Sequence, residues 1–493
     1  MSFNSVGFLI FLPVTLIVHY ILPHKFRWVW LLLASYFFYM TWKPEMAVLI
    51  FSVTLVAYVG GLVSQYLREV KKSRKGSVAA AAAACAVSLG LLIFFKYFGF
   101  ILNNINTIAA GFGHTISVPD IILPVGISFY TFQAVGYVID VAKGKYAAEK
   151  HFGYFALFVS FFPQLVAGPI EKAETLIPQL KKEKKPDKEN IYAGLAMILV
   201  GFFKKIAVAD ILAGPVDTIF KNPQAAGSGF TLVGVFLFAV QIFCDFSGYT
   251  DIAKGAAQLL GIELSKNFDK PYSAVSVGDF WRRWHITLSS WLREYVYFPL
   301  GGSRKGEFRT CLNYVIVFLV SGLWHGAAWH FVIWGLLHGL FIVAERLTLP
   351  VRNRFWEKVK VKPDGKAVTA IRRIVTFGVV CFLWIFFRAG SMTEAWNVIS
   401  TIFSFKAQTA SGIFGGISYV FAAAAGILVL ILVDGGRAGL SVPGMTGIKD
   451  LQKAKVSKVI MPAAAVVMIW AIVWAWLMLS SSSAASAFIY FQF

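Results

Sequence analysis

From Cys311 to Ala344 the chain runs for 34 residues without a formal charge, and both flanks carry arginine. As one helix this stretch would be roughly 50 Å long at about 1.5 Å per residue, against a hydrocarbon core of roughly 30 Å. It would also put a basic flank on the outer side, against the positive-inside bias. It is too short for two full spans joined by an aqueous loop. The reading that satisfies both constraints is a helical hairpin whose turn lies within or near the outer part of a membrane. The expected turn is Ser321-Gly322-Leu323-Trp324-His325-Gly326, which has the glycines a turn needs. Irregular backbone at that depth is tolerated only where it is buried in protein or lines a cavity. His325 is therefore expected inside the membrane, beside a cavity.

The rest of the chain follows the same pattern. Apolar runs lie near 6–22, 27–42, 46–67, 77–101, 120–142, 152–170, 191–213, 229–253, 371–389, 413–433 and 459–479. Only 14% of residues are charged and mean hydropathy is +0.68, where soluble proteins carry about 25% charged residues. A soluble enzyme, a disordered chain and a disulfide scaffold are excluded. No series of short alternating segments suggests a barrel, so lipid demands helices, whose backbone bonds close internally. The expected fold class is an all-α polytopic membrane protein. No internal repeat is visible, which weakens a transporter built from duplicated halves. The net charge of +21 lies in short loops, where positive-inside bias and anionic headgroups account for it; no nucleic-acid module accompanies it. Cys85, Cys244, Cys311 and Cys381 are far apart and in apolar runs, so neither a metal knuckle nor a redox pair is expected. Val6 to Leu22 reads as a retained first helix rather than a signal peptide. Arg68–Lys75, Lys143–Lys150, Glu171–Glu189 and segment 345–373 are basic and expected in the cytoplasm. Loop 102–119 then faces outward, as do the N-terminus and the tail Ser480–Phe493. Segment 254–309, basic and Trp-rich, is too charged to span simply.

An ionisable residue at membrane depth is a functional hypothesis by default. A neutral His325 can take a proton from a hydroxyl; it can equally be a buried histidine bonded to a backbone carbonyl. A second cluster runs Asp279-Phe280-Trp281-Arg282-Arg283-Trp284-His285 and on to Glu294. Its tryptophans suit an interfacial or re-entrant segment. Arg282, Arg283 and Arg293 suit the phosphates of a nucleotide-bearing donor or lipid headgroups. Segments Pro124–Gln133, Phe161–Ile170 with Gln164, and Gln241–Asp251 with Asp245 and Tyr249 suit either a pore lining or small-residue and polar contacts between helices. No G-x-S-x-G elbow and no phosphate-binding loop occur. His325, His330 and His338 lack the histidine pair and carboxylate of a zinc helix, and no metal is expected. His285 lacks an Asp five residues on, since residue 290 is Ser.

At these residues the sequence resembles the membrane-bound O-acyltransferase superfamily, and within it the bacterial enzymes that acetylate exported polysaccharides. The resemblance rests on Tyr36-Phe37-Phe38-Tyr39, Phe162–Ile170, Lys270-Pro271-Tyr272 with Asp279–Trp291, and Ser321–Gly326. It implies one transmembrane domain over 1–493: N-terminal helices 1–142, a catalytic core 143–389, C-terminal helices 390–479 and an aromatic tail 480–493. The fold implied is a ring of about 11–13 helices with re-entrant pieces around a central funnel. The reaction implied moves an acetyl group from cytoplasmic acetyl-CoA, with no bound cofactor, across the bacterial plasma membrane. His325 matches the superfamily's invariant histidine and His285 a more variable second position. His325 would deprotonate the acceptor, and His285 would orient it or stabilise the oxyanion. Arg282, Arg283, Trp281, Trp324 and Gln164 are the expected donor- and substrate-binding residues. The ending Phe488-Ile489-Tyr490-Phe491-Gln492-Phe493 resembles a terminal F-x-Y-x-x-F pattern of such systems, in which the tyrosine relays the acyl group. Tyr490 would pass acetyl to an SGNH-type extracytoplasmic partner and on to the polysaccharide; the alternative is an aromatic tail resting in the outer interface. The rival readings are D-alanyl transfer to teichoic acid from a carrier protein, a lipid or polysaccharide transporter without chemistry, and a eukaryotic-type lipid acyltransferase.

Overall fold

The computed structural model describes residues 1–359, 362, 365–406, 423–426, 457–481 and 488, and every regular element among them is helical. Contacts group the chain into two compact units, Met1–Ile198 with Thr250–Ser265, and Leu199–Tyr249 with Lys266–Phe493.

The first unit opens with α1 (Val6–Ile21), α2 (His24–Met40), α3 (Met46–Glu69), α4 (Arg74–Ala109) and α5 (Ile127–Ala142). The starts of α1 and α4 are chemically marked: Ser5 and Ser73 accept from the amides of Phe8 and Gly76, satisfying donors that no helical carbonyl reaches. α3 and the helix Arg74–Phe112 are long and apolar enough to span a bilayer; α1 and α5 are shorter apolar helices.

The expected run 152–170 is not one helix. α6 (Phe152–Ser160) stops at Phe161, and the chain stays irregular until α7 (Ala173–Lys181). Pro163 and Pro169 supply no amide to continue the ladder. This irregular stretch is deeply buried, so its polar groups need partners within the protein. Gln133 and Gln164 provide two: their side-chain amides donate to the Phe158 carbonyl at 2.7 and 2.9 Å, capping the last turn of α6. The Ser35 hydroxyl accepts from Phe162 N at 3.1 Å. Of the basic stretch expected as a surface helix and loop, α7 carries only Lys181; Lys182, Lys184 and Lys185 follow it in non-helical backbone.

α8 (Lys188–Phe202) leads into a π-helical segment, Phe203–Asp210, then α9 (Ile211–Lys221) and α10 (Pro223–Leu259), kinked at Gly227 (φ 76°, ψ 170°). Five residues make roughly one π turn, so Lys205 and Asp210 fall on one face. Lys205 Nζ lies 2.8 Å from Asp210 Oδ1 and 2.5 Å from Asp245 Oδ1 of α10, all three buried.

Segment 254–309 does not span, as its charge predicts. It folds into α11 (Val277–Arg283) and α12 (Ile286–Leu292), the latter running into a π turn at Arg293–Tyr297. The remaining helices are α13 (Glu307–His325), α14 (Trp329–Lys358), α15 (Lys366–Arg388), α16 (Met392–Phe403) and α17 (Ser457–Ser481). α10, α14 and α15 have spanning length and hydropathy. Of the expected run 413–433, only the helical residues 423–426 are described.

The uncharged stretch 311–344 is a hairpin, but its turn is displaced from the expected place. α13 continues through Ser321–His325, and the break is Gly326–Ala328, with Gly326 (φ −166°, ψ 153°) and Ala328 (φ −152°, ψ 152°) extended. Gly322 serves packing rather than turning. A Cβ there would meet the Phe331 carbonyl oxygen at 2.3 Å, and one on Gly335 would meet the Phe318 carbonyl oxygen at 2.2 Å. The backbones of α13 and α14 thus touch through paired glycines, the contact that small residues permit between apolar helices.

Candidate active site

The hairpin's close crossing fixes its apex. His325 ends α13 and is buried among rings. Trp324, Trp334 of α14 and Phe387 of α15 meet it edge-on, at centroid distances of 4.9, 5.0 and 5.2 Å.

His285 joins α11 to α12 in the left-handed region, at φ 44° and ψ 55°. For a non-glycine residue that conformation costs of order 1–3 kcal/mol and persists only where its surroundings over-determine it. Here they do. Ile286 N donates to the Asn267 carbonyl at 3.0 Å, and the Thr287 hydroxyl to Asn267 Oδ1 at 2.7 Å. Asp269 N donates to the Arg283 carbonyl at 2.9 Å. Trp284, fully buried, packs against Phe268, Phe280 and Trp384. The strained residue is itself fully buried, its ring 4.8 Å from Phe246 and 5.8 Å from Trp324. Trp324 therefore touches both histidines, and the two predicted catalytic residues share one aromatic enclosure.

The other predicted residues take distinct places. Trp281 turns into the interior, where its indole N–H donates to His338 Nδ1 at 3.1 Å, which puts the His338 proton on Nε2. Arg282 is two-thirds exposed and lies 3.3 Å from Asp279 Oδ1; Arg283 Nε lies 3.0 Å from Asp279 Oδ2. One carboxylate thus gathers both guanidiniums, leaving one net positive charge. Gln164 belongs to the first unit and caps α6. Tyr490 lies outside the described residues. Phe488, two residues before it, is buried, stacked on Tyr249 at 4.7 Å and 6.0 Å from Phe246, the ring that touches His285.

Sequence reasoning missed Trp334, His338, Phe246, Phe387 and Asn267. A signal existed for part of the set: His330, Trp334 and His338 recur every four residues and share one face of α14. His330 Nδ1 lies 3.0 Å from the Phe386 carbonyl oxygen, Trp334 packs on His325, and His338 accepts from Trp281. No local pattern marks Phe246, Phe387 or Asn267, which arrive from segments distant in sequence.

What two buried histidines on a shared tryptophan can do is move a proton in a water-poor enclosure. Residues 149–387, which include both, match the model of MBOAT, the membrane-bound O-acyltransferase family. A protein of Azotobacter vinelandii named as a probable alginate O-acetylase is 35% identical, over 83% of this chain and 80% of its own length. The peptidoglycan O-acetyltransferase of Helicobacter pylori is 34% identical, over 80% of this chain and 79% of its own. The chain belongs to the membrane-bound O-acyltransferase family. It is a multi-pass, all-α membrane protein and an O-acyltransferase. The teichoic acid D-alanyltransferase of Bacillus subtilis is also similar, at 28% identity over 52% of this chain and 66% of its own length.

Proposed function

We propose that this acyltransferase O-acetylates an exported polysaccharide or cell-wall glycan, taking the acetyl group from cytoplasmic acetyl-CoA across the bacterial plasma membrane, with its N-terminus outside. The observation that carries the reading is the joint burial of His325 and His285 against Trp324, inside the stretch that matches the family. The names of relatives that cover most of the chain, an alginate O-acetylase and a peptidoglycan O-acetyltransferase, support acetyl and glycan over D-alanyl and teichoic acid.

In this mechanism His325 accepts the proton of the attacking hydroxyl as its oxygen bonds to the thioester carbonyl. The tetrahedral adduct collapses with cleavage of the C–S bond, and the thiolate takes the proton back from the imidazolium. The aromatic walls exclude water that would hydrolyse the thioester. His285 orients the acceptor. Arg282 is exposed enough to meet the donor's phosphates, with Arg283 beside it, and Asp279 presents the pair.

Tyr490 is the first acceptor and passes acetyl to an SGNH-type extracytoplasmic partner. Phe488 supports this: two extended residues reach roughly 7 Å, and Phe488 already packs against a ring that touches His285. The test is incubation with labelled acetyl-CoA in detergent, followed by mass spectrometry of the C-terminal peptide. Label on Tyr490 in wild type, absent in His325→Ala and Tyr490→Phe, supports the relay. Acetyl transfer to added glycan by Tyr490→Phe at the wild-type rate refutes it.

A further inference from the structure

The reaction builds negative charge on the acyl oxygen, and such charge needs a preorganised hydrogen-bond donor in a dry site. A donor kept for that purpose has no protein acceptor, because its acceptor exists only during the reaction. Buried N–H groups nearly always have one, so an exception beside the proton acceptor is informative. Trp334 is one such exception. Its ring is fully buried and packs edge-on against His325 at 5.0 Å, and its Nε1 has no hydrogen-bond partner among the described residues.

We propose that Trp334 is a catalytic residue whose indole N–H stabilises the oxyanion of the tetrahedral adduct. The inference rests on the acyl-transfer reading above and assigns it a group. As the hydroxyl oxygen attacks, the carbonyl π pair moves onto the acyl oxygen, which accepts from Trp334 Nε1. When the C–S bond breaks the pair returns, and the donor is released. An acyl carbon attacked by a hydroxyl held on His325 lies against that imidazole, and Trp334 is already in contact with the same ring.

The indole is held in place for the task. Trp334 stands on the α14 face that packs against α13 through Gly335 and Gly322. Trp281, His338, Trp384 and Phe387 close around it at 5.6, 4.8, 6.0 and 5.2 Å. Other buried donors in this unit also lack partners among the described residues, among them Trp384 Nε1, Asn267 Nδ2, His338 Nε2, Ser247 Oγ and Ser321 Oγ. Trp384 stacks on Trp334, with Phe238, Phe280 and Trp284 around it, and among the described residues it makes no ring contact with His325. Ser321 sits one helical turn before His325, and its hydroxyl can rotate to its own helix. Two indoles with fixed N–H directions meet His325: Trp324, which bridges it to His285, and Trp334, which stands on the opposing helix α14 with its Nε1 lacking a partner among the described residues.

The test replaces Trp334 by phenylalanine and, to keep the ring volume, by 3-benzothienylalanine, which has sulfur in place of the N–H. Acetyl transfer from labelled acetyl-CoA is measured in proteoliposomes, with thermal melting in detergent on the same samples. Loss of an oxyanion donor predicts that kcat falls about 10²–10³-fold. The donor's KM should stay unchanged, and melting of the benzothienyl variant should not fall, since no protein hydrogen bond is lost. Trp396→Phe, an exposed indole of α16, should keep its kcat. A folded benzothienyl variant within about threefold of wild-type kcat overturns the proposal. Wild-type protein without acetyl transfer, or His325→Ala at the wild-type rate, overturns the acyl-transfer reading instead, so the two failures are distinguishable.

Discussion

Replacing Gly322 with alanine would place a methyl group 2.3 Å from the Phe331 carbonyl oxygen and 3.2 Å from Gly335 Cα. Real Cβ contacts do not fall below 3.0 Å, so α13 and α14 must separate locally by at least the 0.7 Å difference. Neither contact atom can yield by a rotamer change, because both are backbone. The thermodynamic effect is moderate. Overpacking costs about 1–3 kcal/mol, while alanine gains about 1 kcal/mol over glycine in a helix interior. The net loss is about 0–2 kcal/mol, and the protein should still fold. Catalysis should suffer more, because the shift falls between the helix bearing His325 and the helix bearing Trp334. A misplacement near 1 Å costs about 10²-fold in rate. Single-turnover acetyl transfer by Gly322→Ala should therefore drop about 10²-fold while melting shifts by only a few degrees. Gly335→Ala strains the same crossing, so the double variant should cost less than the sum of the two. A Gly322→Ala enzyme with wild-type turnover and melting would refute the claim that the crossing sets the active-site geometry.

Further outcomes follow from individual contacts. Because φ at His285 is positive, His285→Gly should melt higher than His285→Ala by the equivalent of about 1 kcal/mol, with activity lost in both; thermal denaturation of the pair in detergent checks this. Lys205→Met leaves two buried carboxylates and should destabilise by about 3–5 kcal/mol, whereas Asp245→Asn keeps the Lys205–Asp210 pair and should cost less; proteolysis rates rank the two. Gln133→Leu and Gln164→Leu should each be mild, because the Phe158 carbonyl keeps the other donor; the double variant should lose about 1–3 kcal/mol, read by melting. Arg282→Ala should raise the KM for acetyl-CoA without lowering single-turnover kcat, since the exposed guanidinium binds the donor away from the reacting bond; steady-state kinetics with varied donor decides it.

Length and charge were enough to read the hairpin. A 34-residue uncharged run with basic flanks cannot be one span or two, and His325 follows at its apex. The turn was misplaced because Gly322 and Gly326 look alike in sequence: only the structure shows that Gly322 admits the Phe331 backbone, while Gly326 takes the extended conformation. The end of α6 was missed within the apolar run 152–170, although Pro163 and Pro169 carry a signal for it; the capping role of Gln133 and Gln164 was not legible, because a membrane glutamine reads equally as a pore-lining group. The aromatic enclosure was least legible. Phe246, His285, Trp324 and Phe387 come from four separate helical regions, and ring contacts between such regions leave no periodicity behind. Trp281 shows the same limit: in the sequence it looks interfacial, and in the structure it is spent on His338.

The central claim is that His325 accepts the proton that makes the acceptor a nucleophile. It is tested most directly by the acetyl-transfer rate of His325→Gln in proteoliposomes, a substitution that keeps bulk and hydrogen bonding but removes the base. The account predicts a fall of about 10²–10⁴-fold in a protein that still folds and binds acetyl-CoA. A folded His325→Gln enzyme turning over within a few-fold of wild type would contradict it.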